Sequence, residues 1–477
     1  MLIKGSVNFN NELQEWDGFG VNYVEVCQTY DNEKNPQDYG GFSTLSENKK
    51  DEIIDLIFGE NGLKPSILKM FLDPLHQKEE PSKIASKPND LLSENLYDHT
   101  SSTSNMLEFV MKGNTISRYG NRSLEIYTTL YGPPKWMTKQ KVWRGRDLDE
   151  KYSYELCLYI ASWVKFLKEK GLPICYAGLH NEGEDFYRWD DNGYTRNTER
   201  GHDYNLYWSP EMVSKFLPML KKVFHANNLD DVLPTPGETT NWTRFSTWGY
   251  SGAILQNYDA LTSMGLITSH GFFNGNIGFQ YFGDHRSAGI DELREKRPDL
   301  HAWSTSTSWS NMDARFLLEL KDQIYSAKVN GIIPWACIQN HSLWRDGDPN
   351  PGCAILIDGK GDYEITKGYW YYKQISTIGS SKSNVVKATI ASSTIGIVAF
   401  KDKQSKSICI INSDDASHPI AIEILNCSFP IKKATRTSPV ENSRDIDDLL
   451  IENSEDKKIL KYDVPANSAT TIVFKEK

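Results

Sequence analysis

The segment His180-Asn181-Glu182 places a carboxyl group directly after an amide, at the end of the apolar run Ile174-Cys175-Tyr176-Ala177-Gly178-Leu179. That pair suits sugar chemistry. A glutamic acid can protonate a glycosidic oxygen and later deprotonate water, while an asparagine amide holds a neighbouring sugar hydroxyl. Double displacement with retention needs a second carboxylate about 5–5.5 Å from the first, and an inverting pair needs about 6.5–9.5 Å. The run Leu300-His301-Ala302-Trp303-Ser304-Thr305-Ser306, where a second acid is sought, contains none as far as Ser310. Glu238, in Pro236-Gly237-Glu238-Thr239-Thr240-Asn241-Trp242, is the best-placed alternative. It is a candidate partner of Glu182 in an inverting pair, or else a substrate-binding or loop-bracing residue. His270 closes the run Leu266-Ile267-Thr268-Ser269 and is placed to orient a carboxylate or bind a hydroxyl. Asp73 closes Ser66–Leu72 and is a candidate for gripping sugar hydroxyls. Trp242, with Trp143, Arg144, Trp189, Trp344 and Arg345, falls in loops, where aromatic rings stack on sugar faces or pack. The ten His form no H-x-H or H-E-x-x-H spacing, so no metal and no cofactor is expected.

Eight short runs must carry these residues to one place. They are Gly18–Tyr23, Ser66–Asp73, Ile126–Tyr131, Ile174–Glu182, Val232–Glu238, Leu266–His270, Leu300–Ser306 and Gly331–Cys337. Helical stretches separate several of them. Ser209-Pro210-Glu211 opens one with an N-cap and a proline at the first helical position. Tyr154 to Lys168 and Asn311 to Val329 have apolar residues at helical spacing, and Asp313 reads as an acid at a helix start. Strands alternating with helices predict an α/β fold, a (β/α)8 barrel over residues 16–378, with function at the C-terminal ends of the strands. From residue 379 to 477 short β runs follow one another without a long helix, which predicts an attached all-β sandwich that residues 1–15 join as a strand.

The length of 477 residues accommodates both units, and 39% hydrophobic residues supply a core. A net charge of −10 argues against a nucleic-acid partner. The seven Cys form no C-x-x-C pair, and several lie in apolar runs, so they are expected as buried thiols. No run approaches 18 apolar residues, so no membrane span is expected, and Met1 to Ser6 show no signal-peptide core.

Several segments, in order, resemble glycoside hydrolase family 30. Asp17-Gly18-Phe19-Gly20 resembles its G-F-G opening of the first barrel strand. Tyr131-Gly132-Pro133-Pro134-Lys135-Trp136-Met137 resembles its S-P-P-x-W-M segment, and His180-Asn181-Glu182 its N-E acid/base segment. Tyr363 to Tyr372 resembles the stretch leading out to the β domain. The resemblance spans nearly the whole chain. It implies a retaining β-glycoside hydrolase acting by double displacement on a carbohydrate, with Glu182 as acid/base and Asn181, Trp136 and Trp335 in the sugar pocket. The departure is at the seventh strand, where the family has W-x-[S/T]-E and this chain has Trp303-Ser304-Thr305-Ser306. Ser306 stands where the nucleophile glutamate is expected. A serine without an adjacent base is a weak nucleophile, so the sequence implies a nucleophile-substituted form, inactivated or of glycosynthase type. The alternatives are an inverting enzyme using Glu182 and Glu238, and an inactive glycan-binding barrel.

Overall fold

The computed structural model describes residues 2–23, 41–72, 80, 101–196, 205–272, 287–308, 313–340, 352–358, 360–453 and 457–475. All eight apolar runs form strands of one parallel sheet. Strands one to eight are Gly18–Asn22, Ile67–Leu72, Glu125–Leu130, Ile174–Gly178, Leu233–Thr235, Leu266–Ser269, His301–Ser308 and Gly331–Trp335. Strand one lies between strands two and eight, and the ladder runs without a break from strand five round to strand six. The seam between five and six closes through single hydrogen bonds. Gly265 N donates to Pro234 O at 3.0 Å and His270 N to Thr239 O at 2.9 Å, and Thr268 Oγ1 donates to Gly237 O at 2.7 Å. The result is a (β/α)8 barrel.

These strands read as continuous apolar runs because both of their faces are buried. Ile67, Tyr127, Leu266, Trp303 and Ile333 meet inside the barrel. Their neighbours Leu68, Ile126, Ile267, Ala302 and Ile332 point outward into the core shared with the surrounding helices, as the alternation of side chains along a strand requires. Ser209 Oγ accepts from Met212 N at 3.2 Å and starts the helix Pro210–Ala226. The helix expected from Asn311 begins at Ala314, because Asp313 caps it, accepting from Arg315 N at 2.9 Å and Phe316 N at 3.3 Å.

A second sheet of ten strands, drawn from Ile3–Trp16 and from Ser383 to Lys475, curls over its own core. That core includes Val7, Phe9, Ile397, Ile410, Ile422, Leu460 and Ile472. Ile3–Trp16 pairs antiparallel with Ser383–Ile390 and parallel with His418–Leu425. The helix Lys367–Ser376 ties this unit to the barrel: Tyr372 Oη donates to Gly20 O at 2.8 Å, and Gln374 Nε2 to Thr437 Oγ1 at 3.0 Å. Cys157, Cys337, Cys353, Cys409 and Cys427 are buried free thiols, which matches their apolar surroundings; Cys27 lies outside the described residues. Among the described residues no helix is long and apolar enough to cross a membrane.

Candidate active site

Glu182 follows strand four with a left-handed backbone, φ 48°. A non-glycine residue holds that conformation only where its surroundings fix it. Here Glu182 N donates to Glu238 O at 2.7 Å, and the Glu182 carbonyl accepts from Arg188 Nη1 and Asn205 Nδ2, both at 3.0 Å. The neighbouring turn depends on Gly237, whose φ is 94°; a Cβ there would stand 2.3 Å from the ring of His180. His180 is buried against Trp208, and burial pushes its imidazole down to about 4, so it is a neutral packing element.

The Glu182 carboxylate is clamped from two sides. His270 Nδ1 lies 2.8 Å from Oε1, and Arg188 Nη2 donates to Oε2 at 2.8 Å. His270 Nε2 faces Asn181 Oδ1 at 3.0 Å. Both ring nitrogens therefore meet acceptors, an arrangement the imidazolium satisfies. Burial alone would lower the His270 pKa and raise that of Glu182. For His270 the carboxylates of Glu182 and Glu238 outweigh burial and the Lys69 ammonium, holding it above its ordinary range; for Glu182 the contacts with His270 and Arg188 outweigh burial and hold it well below the usual carboxylate range. In this free state Glu182 is a carboxylate with no proton to donate. Arg188→Met is expected to raise the Glu182 pKa, because one of its two cationic partners is gone. A carboxylate titration followed by 13C NMR checks this, and an unmoved Glu182 would remove Arg188 from the account.

Ser306 reaches the same place through a change in strand register. Strand seven pairs with strand eight as Trp303 with Gly331 and Ser304 with Ile332, but as Thr307 with Pro334, so one extra residue is bulged between Ser304 and Thr307. A bulge reverses the alternation and re-aims side chains. Trp303 points into the barrel and Ser304 outward, its Oγ donating to Gln323 Oε1 at 2.8 Å. Beyond the bulge Ser306 points inward, where its Oγ accepts from Lys69 Nζ at 3.1 Å. Lys69 belongs to the inward face of strand two, like Ile67. Its ammonium also lies 2.7 Å from Glu238 Oε1, and both side chains are 0% exposed. Lys69 and His270 hold the Glu238 carboxyl below its ordinary value against the upward push of burial. Glu238 Oε2 is 3.7 Å from His270 Nε2. One chain of polar contacts thus runs from Arg188 through Glu182, His270, Glu238 and Lys69 to Ser306.

Trp136 and Trp335 lie at the same end of the barrel, Trp136 after strand three and Trp335 as the last residue of strand eight. Both are nearly buried. Trp136 packs edge-on against Tyr152, with ring centroids 5.0 Å apart, and Trp335 edge-on against Phe71 at 6.1 Å. The indole N–H of Trp136 is buried without a hydrogen-bond partner among the described residues. Trp242, a candidate for stacking on a sugar or for packing, packs. It is 2% exposed, and its N–H donates to Gln323 Oε1 at 2.9 Å behind strand seven, so it is a packing residue of the helix Trp242–Thr247. Trp189 is also tucked in, donating to the Arg144 carbonyl at 2.7 Å. Asp73, Trp344 and Arg345 lie outside the described residues. Lys69, Arg188 and the buried pair Glu184–Arg244 at 2.9 Å, which braces the turn at Thr240, carry no role in the expectations from sequence. Lys69 did leave a signal, as a charge in the middle of an apolar parallel strand. Among the described residues no cluster of His, Cys, Asp and Glu could hold a metal ion.

No family model matches the sequence, and no curated protein matches it significantly. Solved structures do match. The catalytic domain of GH30 xylanase C from Talaromyces cellulolyticus superposes with a TM-score of 0.72 at 14% identity, covering 99% of this chain and 100% of that one. A GH30 endoxylanase from Clostridium papyrosolvens gives 0.69 at 16% identity, over 99% and 100%. An endo-β1,6-glucanase gives 0.68 at 14% identity, over 99% and 94%. Over essentially its whole length, the chain has the fold of the glycoside hydrolases of family 30.

Proposed function

We propose that this chain is a β-glycan-directed barrel built on a retaining glycosidase site, with Glu182 at the acid/base position and hydrolysis suppressed because Ser306 occupies the nucleophile position. The observation that carries the reading is the contact chain from Glu182 to Ser306. It supplies the strand-four carboxylate and its orienting His270 and Asn181. At the strand-seven position it supplies a hydroxyl that accepts from an ammonium, which is the reverse of an activated nucleophile. A sugar in the mouth would meet Asn181 as a hydroxyl partner. The fold neighbours act on xylan and on β-1,6-glucan, which favours a β-linked glycan as ligand.

The inverting alternative fares worse. An inverting base must activate a water at its carboxylate, whereas Glu238 is fully buried and its charge is compensated by Lys69. Binding measured calorimetrically against β-linked oligosaccharides, beside hydrolysis of a panel of aryl β-glycosides, tests the reading. Binding of one glycan class with turnover near background is expected. Rapid hydrolysis by this chain would overturn it.

A further inference from the structure

A groove of about 400 Å³ lies where the barrel meets the curled sheet. It is remote from the mouth. Asn61 and Lys64 belong to the loop that leads from the helix Glu47–Phe58 into strand two, so they sit at the N-terminal end of the strands, opposite Glu182. The other walls come from the helix Lys367–Ser376 and from the sheet strands Ile431–Ser438, Glu441–Asp445 and Ser468–Lys475.

The chemistry of this groove is specific. Trp370 presents a half-buried indole to it. Lys373 Nζ stands 5.4 Å from the centre of that ring and donates to the Asn61 carbonyl. Lys64 and Lys433 join it, so among the described residues three lysines line the groove against one acidic residue, Glu60. Glu60 is already bonded to Lys64 at 2.6 Å, and among the described residues Lys433 has a loose ion-pair partner, Asp445 at 3.8 Å. Burial, then repulsion from Lys433 and Lys64, lowers the Lys373 pKa, as expected where cations converge without enough counter-charge. Asn442 adds an amide. An aromatic face, amides and surplus positive charge together match a sugar ring that carries an anionic group.

We propose that this groove is a second carbohydrate site that takes an acidic saccharide, its ring against Trp370 and its carboxylate or sulfate among Lys64, Lys373 and Lys433. The choice of a saccharide rests on the glycan-directed reading of the barrel; the location and the charge do not. Such a site would hold a long chain on the protein independently of the mouth.

Calorimetric titration of the full chain with four probes tests the proposal: a uronate trisaccharide, a sulfated disaccharide, a neutral trisaccharide and inorganic sulfate. At least one acidic saccharide is expected to bind, and which one distinguishes carboxylate from sulfate. Reversing charge at the solvent-facing Lys433 with Lys433→Glu is expected to weaken it about tenfold, Trp370→Ala to weaken it further, and Glu182→Gln to leave it unchanged. Lys433 is 64% exposed, so its variant keeps the test valid should Trp370→Ala not fold. Three results overturn the proposal. They are no binding of either acidic saccharide, inorganic sulfate binding as tightly as the saccharides, and affinity that falls with Glu182→Gln but not with Lys433→Glu. The last would place the ligand in the barrel mouth and leave the reading of that mouth intact.

Discussion

Ser306→Glu is expected to hydrolyse one aryl β-glycoside of a panel on the order of 10³-fold faster, or more, than the unaltered chain. Three features of the site argue for a gain of that size. The strand-seven bulge already aims position 306 into the barrel, so a longer side chain needs no change of backbone to enter. Lys69, whose Nζ is 3.1 Å from Ser306 Oγ, would donate to the new carboxylate and keep it ionised, as a nucleophile must be. The new negative charge would also act on Glu182. In the unaltered chain Arg188 and His270 hold Glu182 ionised, and a second carboxylate nearby pushes it back towards the protonated form that a general acid requires. The variant should therefore show a bell-shaped pH profile, with the introduced carboxyl ionising on the acid limb and Glu182 deprotonating on the alkaline limb. NMR of the first-formed anomer should show retention. If the variant folds, binds its glycan and still turns over no faster than the parent, position 306 is not the nucleophile site. An inverted product would instead move the second carboxylate role to Glu238.

The eight strands were legible because burial on both faces writes a strand as an uninterrupted apolar run. Their polar ends pointed to Glu182, Asn181 and His270 because a barrel gathers its chemistry at that end. The bulge was not legible. Trp303-Ser304-Thr305-Ser306-Thr307-Ser308 alternates so evenly in size and polarity that no residue marks the extra position. Simple alternation from Trp303 would have turned Ser306 towards the helices. Only the resemblance to the family placed it inward. The choice between stacking and packing at Trp242 was not legible for a related reason. It follows Asn241 at a strand end, but the Asn241 side chain caps a helix, accepting from Arg244 N at 2.8 Å, and that helix turns the indole back behind strand seven. Arg188 was beyond reach because its contact with Glu182 depends on the fold of a six-residue loop, not on a period. Lys69 was written plainly in the sequence but needed a partner to be understood, and Glu238 is far from it along the chain.

Lys69→Met is expected to destabilise the protein by about 3–5 kcal/mol, and adding Glu238→Gln to restore most of that. Removing one member of a fully buried ion pair leaves the other charge without solvent or partner, whereas removing both charges does not. A loss of this size is a large share of the roughly 5–15 kcal/mol that holds a typical domain folded. His270, 3.7 Å from Glu238, compensates only in part, because its Nε2 already faces Asn181. The sign of the pH dependence separates this account from a simple packing defect. In the unaltered chain the folded Glu238 pKa lies below the ordinary 4.5. Its stabilising contribution is therefore fully present above 4.5 and is lost as pH falls through the folded value. With Lys69 gone, His270 is left to oppose burial, and the folded value is expected to rise above 4.5. The folded state then binds more protons than the unfolded chain, so stability falls as pH rises above that point. Urea unfolding of the single variant should accordingly show greater stability at mildly acid than at mildly alkaline pH, and the double variant should lose that slope. Equal losses in both variants, with no difference in slope, would show that Lys69 acts through its contact with the Phe71 ring, 4.6 Å away, and not through its charge.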